Sequence, residues 1–419
     1  MKITISRSQI QGRVEAPPSK SYSIRALMCA SLAPGSSYIR FPLEADDTQA
    51  AREAVSRIGA AVRPVRLGWQ VNGGNLKAPE GEIFCRESAA TLRFMAAIAA
   101  VIPGTTRLVP GPGLARRPVA PLLAALNSLG AGGRQEGAVV IISGGNLAGG
   151  DVSLEGGVSS QFISALMLAA PLMEKGLTIH ITTPARSSSY IEMTAACLKE
   201  FGIRVKVAPD MSSVSIPRQP YQAAAYDVEG DWSQAAALLA LGALAGEVLV
   251  TNLNAESLQG DRKVLNLLQK MGARFTMRRS SVLISRSRLH AISADLSDCI
   301  DLLPVMAVVA AAAEGHSYFS GIASARHKES DRVGAVITEL GKMGIRTIEE
   351  EDRLGVIGGQ PVGTLLDSHA DHRLAMAFGV LGAAVGDTAI SGAESVSKTY
   401  PGFWKALESL GGMVSSDVR

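Results

Sequence analysis

The sequence predicts an α/β protein of two domains, each holding three copies of a strand, helix, strand, helix, strand-pair unit. Three observations lead there. Glycines recur about every 70 residues in two separate series, helical stretches alternate between wholly apolar and one-sided, and short β-rich runs follow both kinds.

In the first series each glycine follows an apolar residue: Gly59, Gly130, Gly202, Gly272, Gly344 and Gly411, at spacings of 71, 72, 70, 72 and 67 residues. The second series, Gly35, Gly104, Gly176, Gly246, Gly315 and Gly386, keeps step at 69, 72, 70, 69 and 71. A glycine just past a helix can take the left-handed conformation that ends it, so each unit is expected to carry two helices. The stretches before second-series glycines, such as 26–33, 94–102 and 374–385, are apolar nearly all round and belong inside. The other helix of each unit has one apolar face and belongs outside. Strands are expected at 36–41 and 105–109 after inner helices, and at 139–142, 282–284 and 354–357 after outer ones.

Units of this length exceed a common solenoid repeat, so two globular domains of three units each fit better. The sixth unit has only seven residues after Gly412, and the alternating segment 2–6 is available to complete it. Both termini then share one domain, residues 1–16 plus 228–419, with 17–227 as an inserted second domain. Pro17-Pro18 suits the first crossing, being stiff and unable to donate to a sheet.

Composition excludes several function classes. With 419 residues, 47% hydrophobic and 19% charged, the chain has ample material for large cores and is not a disordered segment. Forty-one Lys and Arg against 38 acids leave a net charge of +3, which does not mark a nucleic-acid binder. Cys29, Cys85, Cys197 and Cys299 lie far apart, with no CxxC pair and no histidines at ligand spacing, which argues against a disulfide scaffold or a zinc site. The longest apolar runs, 235–246 and 302–313, fall short of the roughly 20 residues a membrane span needs. The chain begins with strand-like alternation rather than a signal peptide, so a cytoplasmic location is expected.

The polar residues that precede each inner helix are the informative part. They read Ser19-Lys20-Ser21-Tyr22-Ser23-Ile24-Arg25, then Arg86-Glu87-Ser88-Ala89-Ala90-Thr91-Leu92-Arg93, then Val158-Ser159-Ser160-Gln161. The later units offer Asp231-Trp232-Ser233-Gln234, Asp298-Cys299-Ile300-Asp301 and Asp371-His372-Arg373. A helix start exposes unpaired N–H groups and partial positive charge, so Ser, Thr and Asp there serve as ordinary caps. Lys20, Arg25, Arg93 and Arg373 oppose that charge and make sense where an anionic ligand lies between. If such ends converge, they hold a multiply charged anion.

Further clusters lie at Arg116-Arg117-Pro118, at Lys328-Glu329-Ser330-Asp331-Arg332 and at Ser397-Lys398-Thr399-Tyr400-Pro401. As ordinary features they are a helix start with Pro in its first turn, a charged helix start with an i, i+3 pair, and a surface lysine. As chemistry they supply anion contacts, with Glu329 for proton transfer. No Walker A pattern occurs.

Together with Ser159-Ser160-Gln161-Phe162 and Gln259-Gly260-Asp261, these motifs in this order resemble the 5-enolpyruvylshikimate-3-phosphate synthase family along nearly the whole chain. Such enzymes move an enolpyruvyl group from phosphoenolpyruvate to shikimate 3-phosphate. The resemblance implies a two-domain inside-out α/β barrel, each domain with three βαβαββ units around buried helices and the active site in the cleft between domains. It implies shikimate 3-phosphate contacts at Lys20, Ser21, Arg25, Ser159, Ser160, Gln161, Ser187, Asp301 and Lys328. Phosphoenolpyruvate contacts fall at Lys20, Ala89, Arg117, Gln161, Arg332, Arg373 and Lys398. The catalytic groups it implies are Asp301, Glu329 and Lys20. Asp301, with Lys20 nearby, draws the hydroxyl proton, while Glu329 delivers and later removes the proton at C3. The resemblance also implies a monomer acting on small molecules, with no metal or organic cofactor.

The chain departs from the family pattern at three places. Ala89-Ala90 stands where the family has Gly-Thr, Glu87 where it has Asn, and Ser324 where it has a substrate-site Asn. The Ala89 methyl is expected to crowd the space beside the donor that the inhibitor glyphosate occupies. Two alternatives are a UDP-N-acetylglucosamine enolpyruvyl transferase and a non-catalytic phosphometabolite-binding protein. The first usually carries a reactive cysteine in a loop that corresponds to 110–118, where this chain has none. The second gains nothing from the carboxylates of Asp301 and Glu329.

Overall fold

The computed structural model describes residues 1–417. Internal contacts divide the chain into two compact units, Pro18–Val228 and Met1–Pro17 with Glu229–Arg419. The crossings fall at Pro17/Pro18 and Val228/Glu229; the expectation from sequence set them at Ala16/Pro17 and Asp227/Val228.

Each unit contains three four-stranded sheets of one design, in which a parallel pair is extended by two antiparallel strands. In Pro18–Val228 one such sheet runs Glu82–Arg86, Gly104–Pro110, Val139–Gly144, Gly132–Glu136. A second runs Gly150–Leu154, Leu177–Ile181, Ser213–Ile216, Lys206–Val207. The remaining sheet is closed from the far end of the unit. Ala225–Asp227 pairs in parallel with Gly35–Arg40, with Tyr38 opposite Ala225.

The terminal unit uses the same device twice. Ile10–Glu15 pairs in parallel with Gly246–Thr251, and Lys2–Ser6 lies between Thr388–Ser391 and Met413–Asp417, antiparallel to both. The N-terminal strand thus supplies the hairpin member that the sixth repeat lacks. Strands alternate between buried and wetter positions, one face on the core and one toward water, as in Lys2–Ser6, where Ile3 and Ile5 are buried.

The inner helices of Pro18–Val228 are Lys20–Leu32, Ala89–Val101 and Ser160–Ala169; those of the terminal unit are Trp232–Ala245, Leu303–Ala311 and His372–Val385. Each is buried on all sides through its middle turns, and each unit has its own apolar core. Alanine fills six of the 13 positions in Ala89–Val101, which lets neighbouring backbones approach closely. Large anchors such as Phe94, Phe162, Trp232 and Phe378 fill the space between, each contributing roughly 1.5–3 kcal/mol of burial free energy.

All six first-series glycines have left-handed φ, from 78° to 109°. In the second series Gly246 departs, with an extended φ of 173°. Its requirement is space: a Cβ there would collide with the carbonyl oxygen of Ile10 on the paired strand. Among the described residues no helix is long and apolar enough to cross a membrane.

Candidate active site

In Pro18–Val228 the inner helices begin with the expected serine caps. Ser19 accepts from the amide of Tyr22, Ser88 from that of Thr91 and Ser159 from that of Gln161. Lys20 opens the first helix, and its Nζ donates to Oδ2 of Asp47 at 3.0 Å. That buried aspartate, at the start of Asp46–Arg57, was not singled out from sequence.

Arg25 and Arg93 differ from expectation in a way that matters. Both sit in the second turn of their helices, beyond the strongest reach of the helix dipole. Arg25 is buried and donates to Thr194 Oγ1 at 2.8 Å, to the Ser21 carbonyl at 3.0 Å, and to Ser164 Oγ and the Tyr190 carbonyl at 3.4 Å. Its guanidinium also lies over the rings of Phe94 and Tyr190. Burial lowers its pKa, and nearby tyrosines and Cys197 offset part of that.

Arg93, absent from the expected contacts, links two of them with the residue that follows a third. It donates to Gln161 Oε1 at 2.7 Å, to Ser159 Oγ at 3.2 Å and to the Pro118 carbonyl, next to Arg117, at 3.1 Å. Ala89 is buried at the first position of its helix, with Ser160 buried likewise. Ser187 has a left-handed φ of 56° and lies half-buried just before Ser189–Glu200.

In the terminal unit, six of the expected residues meet. Arg332, about 1% exposed, donates through Nη1 to Asp301 Oδ1, through Nη2 to Glu329 Oε2 and through Nε to Asp371 Oδ2, each at 2.7 Å. Arg373 holds Asp301 Oδ2 at 2.9 Å, and Lys328 lies 3.6 Å from Oδ1. Lys398, about 12% exposed, lies 3.2 Å from Glu329 Oε1. It ends the short helix Ala393–Lys398 rather than standing on a surface loop.

Local structure explains these positions. Asp371 caps His372–Val385 by accepting from the Arg373 amide, which puts Arg373 in the first turn. Asp331 caps Arg332–Lys342 by accepting from the Gly334 amide, which sets Arg332 at its head. Ser324 belongs to Ala323–His327, the short helix that leads into Lys328.

The electrostatics follow from the geometry. Burial alone would raise the Asp301 pKa, but Arg373, Lys328 and Arg332 outweigh it and hold the group well below the usual carboxylate range. Burial likewise opposes the charge of Arg332, and Asp371, Glu329 and Asp301 more than restore it. Asp261, buried and accepting from the Ser233 hydroxyl, feels Arg373 only in part. Burial and the charge of Asp301 push its pKa up to about 6. Sequence pattern marks Asp261 as a motif member but carries no sign of its burial.

A family model described as EPSP synthase (3-phosphoshikimate 1-carboxyvinyltransferase) matches residues 5–407. A 3-phosphoshikimate 1-carboxyvinyltransferase of Dehalococcoides mccartyi (strain ATCC BAA-2100) is 49% identical over 420 residues, covering all of both chains. One from Methanocorpusculum labreanum is 40% identical over 98% of this chain and 99% of its own. A solved EPSP synthase of Acinetobacter baumannii superposes with a TM-score of 0.83 at 25% identity, over 99% of this chain and 100% of its own. The enolpyruvyl transferase NikO from Streptomyces tendae, at 16% identity and a TM-score of 0.82, shares the fold. With a family model and relatives matched from end to end, the chain belongs to the EPSP synthase (3-phosphoshikimate 1-carboxyvinyltransferase) family.

Proposed function

We propose that this chain transfers the enolpyruvyl group of phosphoenolpyruvate to the 5-hydroxyl of shikimate 3-phosphate, releasing phosphate, and that both half-sites contribute to holding the two substrates. Lys20, Ser21, Arg25, Ser159, Ser160, Gln161, Ser187, Asp301 and Lys328 take the acceptor. Lys20, Ala89, Arg117, Gln161, Arg332, Arg373 and Lys398 take the donor. The observation that carries this reading is that the carboxylates of Asp301 and Glu329 share one buried guanidinium, that of Arg332, each at 2.7 Å. A second cation stands on the far oxygen of each carboxylate.

The reaction adds and then eliminates. Asp301 draws the proton from the 5-hydroxyl as the hydroxyl oxygen bonds to C2 of the donor, and Glu329, which enters this step protonated once the donor has drawn Lys398 to itself, gives its proton to C3. Glu329 then takes a proton back from C3 as the C2–O bond to phosphate breaks, and the proton held by Asp301 is available to the leaving phosphate. Acid–base groups of this kind contribute on the order of 10²–10⁴-fold each.

Asp301 is a weak base while Arg373 and Lys328 face it. A donor anion that draws Arg373 to itself, and an acceptor that draws Lys328, raise the proton affinity of Asp301, so substrate binding switches on the base. Arginine suits the task because its planar fork meets carboxylate and phosphate with two parallel bonds.

The two alternatives are not favoured. Relatives matched along their full length are named for the shikimate reaction, and an anion trap has no use for paired carboxylates. We further propose a cytoplasmic monomer, which gel filtration at micromolar concentration tests. Mixing the protein with both substrates and following phosphate tests the activity. Release that requires shikimate 3-phosphate supports the reading; release only with UDP-N-acetylglucosamine, or none with either acceptor, rejects it.

A further inference from the structure

Glu87 stands one residue before the Ser88 cap of Ala89–Val101. Its Oε1 accepts from the amide of Gly113 at 3.1 Å and its Oε2 from that of Leu114 at 2.7 Å. The carboxylate fits so closely that a Cβ on Gly111 would collide with Oε1, and one on Gly113 would stand 2.8 Å from Oε2. The Gly111 amide donates to the Arg86 carbonyl at 2.6 Å, and Arg86 holds a left-handed φ of 50°, uncommon for a residue with a side chain. A strained residue, a half-buried carboxylate and two glycines thus serve one purpose, seating the loop on the residues just before the helix.

Arg117 lies between two anchors. Upstream, Glu87 grips the amides of Gly113 and Leu114; downstream, Arg93 donates to the Pro118 carbonyl. The Arg117 amide itself donates to the Leu114 carbonyl at 3.0 Å, which links the guanidinium-bearing residue to the gripped turn. Gly111-Pro112-Gly113 offers no side chain that could hold the loop, so backbone amides must.

We propose that Glu87 is a positioning residue, which acts on the donor through Arg117 by fixing residues 111–117 and does not touch the donor itself. The proposal rests on the enolpyruvyl-transfer reading for the role of Arg117, while the anchoring itself does not. A carboxylate accepts both amides at once, whereas a carboxamide offers one acceptor oxygen. Glu87→Ala should therefore loosen the loop more than Glu87→Gln.

The test pairs kinetics with proteolysis on the full chain. Trypsin can cut after the exposed Arg116, while Pro118 protects the bond after Arg117. Glu87→Ala should be cut after Arg116 at least tenfold faster than wild type, with Glu87→Gln in between. The KM for phosphoenolpyruvate should rise roughly 10- to 100-fold in Glu87→Ala, while the KM for shikimate 3-phosphate stays within about twofold. Wild-type cleavage in both variants overturns the anchoring. Faster cleavage with an unchanged donor KM, or with both KM values rising together, overturns the positioning role. A wild-type protein without activity rejects the transferase reading and leaves the proteolysis to judge the anchor.

Discussion

Arg332 donates through Nε to Oδ2 of Asp371 at 2.7 Å, although 39 residues separate them and both are almost wholly buried. The pair joins the head of Arg332–Lys342 to the cap of His372–Val385, and the same guanidinium also reaches Asp301 and Glu329. Three carboxylates share that cation, and Asp301 and Glu329 each keep a second one in Arg373 and Lys398. Removing Arg332 leaves the buried Asp371 without its guanidinium and the cluster with an excess of buried negative charge, which costs far more than the pairs contribute when intact.

Arg332→Ala should therefore lose roughly 3–5 kcal/mol of stability near neutral pH. The deficit should shrink as pH falls and the stranded carboxylates protonate. Urea unfolding at several pH values measures this, and a deficit independent of pH would contradict the shared-cation account.

Asp261 responds in the opposite sense. Its pKa rises from 3.8 to about 6 on folding, so the folded chain holds this proton more tightly than the unfolded chain. Its contribution is complete below about pH 4 and is lost as pH rises through 6, a change of about 3 kcal/mol. Asp261→Asn removes the dependence, so its stability relative to wild type should climb between pH 4 and 7. An unchanging difference across that range would rule out a buried, raised Asp261.

Glu339 ties the same helix to the segment before Asp371. Buried, it accepts from Lys342 Nζ at 2.7 and 2.8 Å and from the Asp367 amide at 3.0 Å, and His369 Nε2 lies 2.9 Å away. His369 and Ala370 then pass through consecutive left-handed conformations, with φ of 52° and 54°. Glu339→Ala is expected to cost roughly 3 kcal/mol in chemical denaturation. Ala370→Gly, which suits that backbone, should stabilise by up to about 1 kcal/mol. A destabilising Ala370→Gly would show that this turn carries no strain.

Ala89 starts its helix with a buried methyl. If that methyl crowds the space beside the donor, Ala89→Gly should bind glyphosate at least tenfold more tightly and phosphoenolpyruvate no worse. Comparable inhibition constants for the two proteins would remove the steric explanation.

Glycine spacing and apolar runs made the repeated unit legible, because a left-handed helix stop and a buried helix each demand specific residues. Gly246 kept the period for a different reason, close approach to Ile10, which spacing cannot distinguish from a helix stop. The charged motifs also announced the charged cluster of the terminal unit. Their mutual neutralisation was hidden, since Arg332 is paired with Asp301 and Asp371 from 31 and 39 residues away. Arg25 looked like a cation at a helix start. In the second turn it is instead held by Thr194 and Ser164, 169 and 139 residues away. Asp47 and the grip of Glu87 on residues 113 and 114 were equally invisible, because both partners of each contact look ordinary in isolation.

The role of Glu329 admits the most direct measurement. Glu329→Gln keeps the shape of the side chain and one acceptor for Arg332, but it neither gives nor takes a proton at C3. With both substrates saturating, phosphate release should fall by roughly 10²–10⁴-fold while shikimate 3-phosphate still binds with wild-type affinity. Turnover at the wild-type rate in that variant would contradict the mechanism.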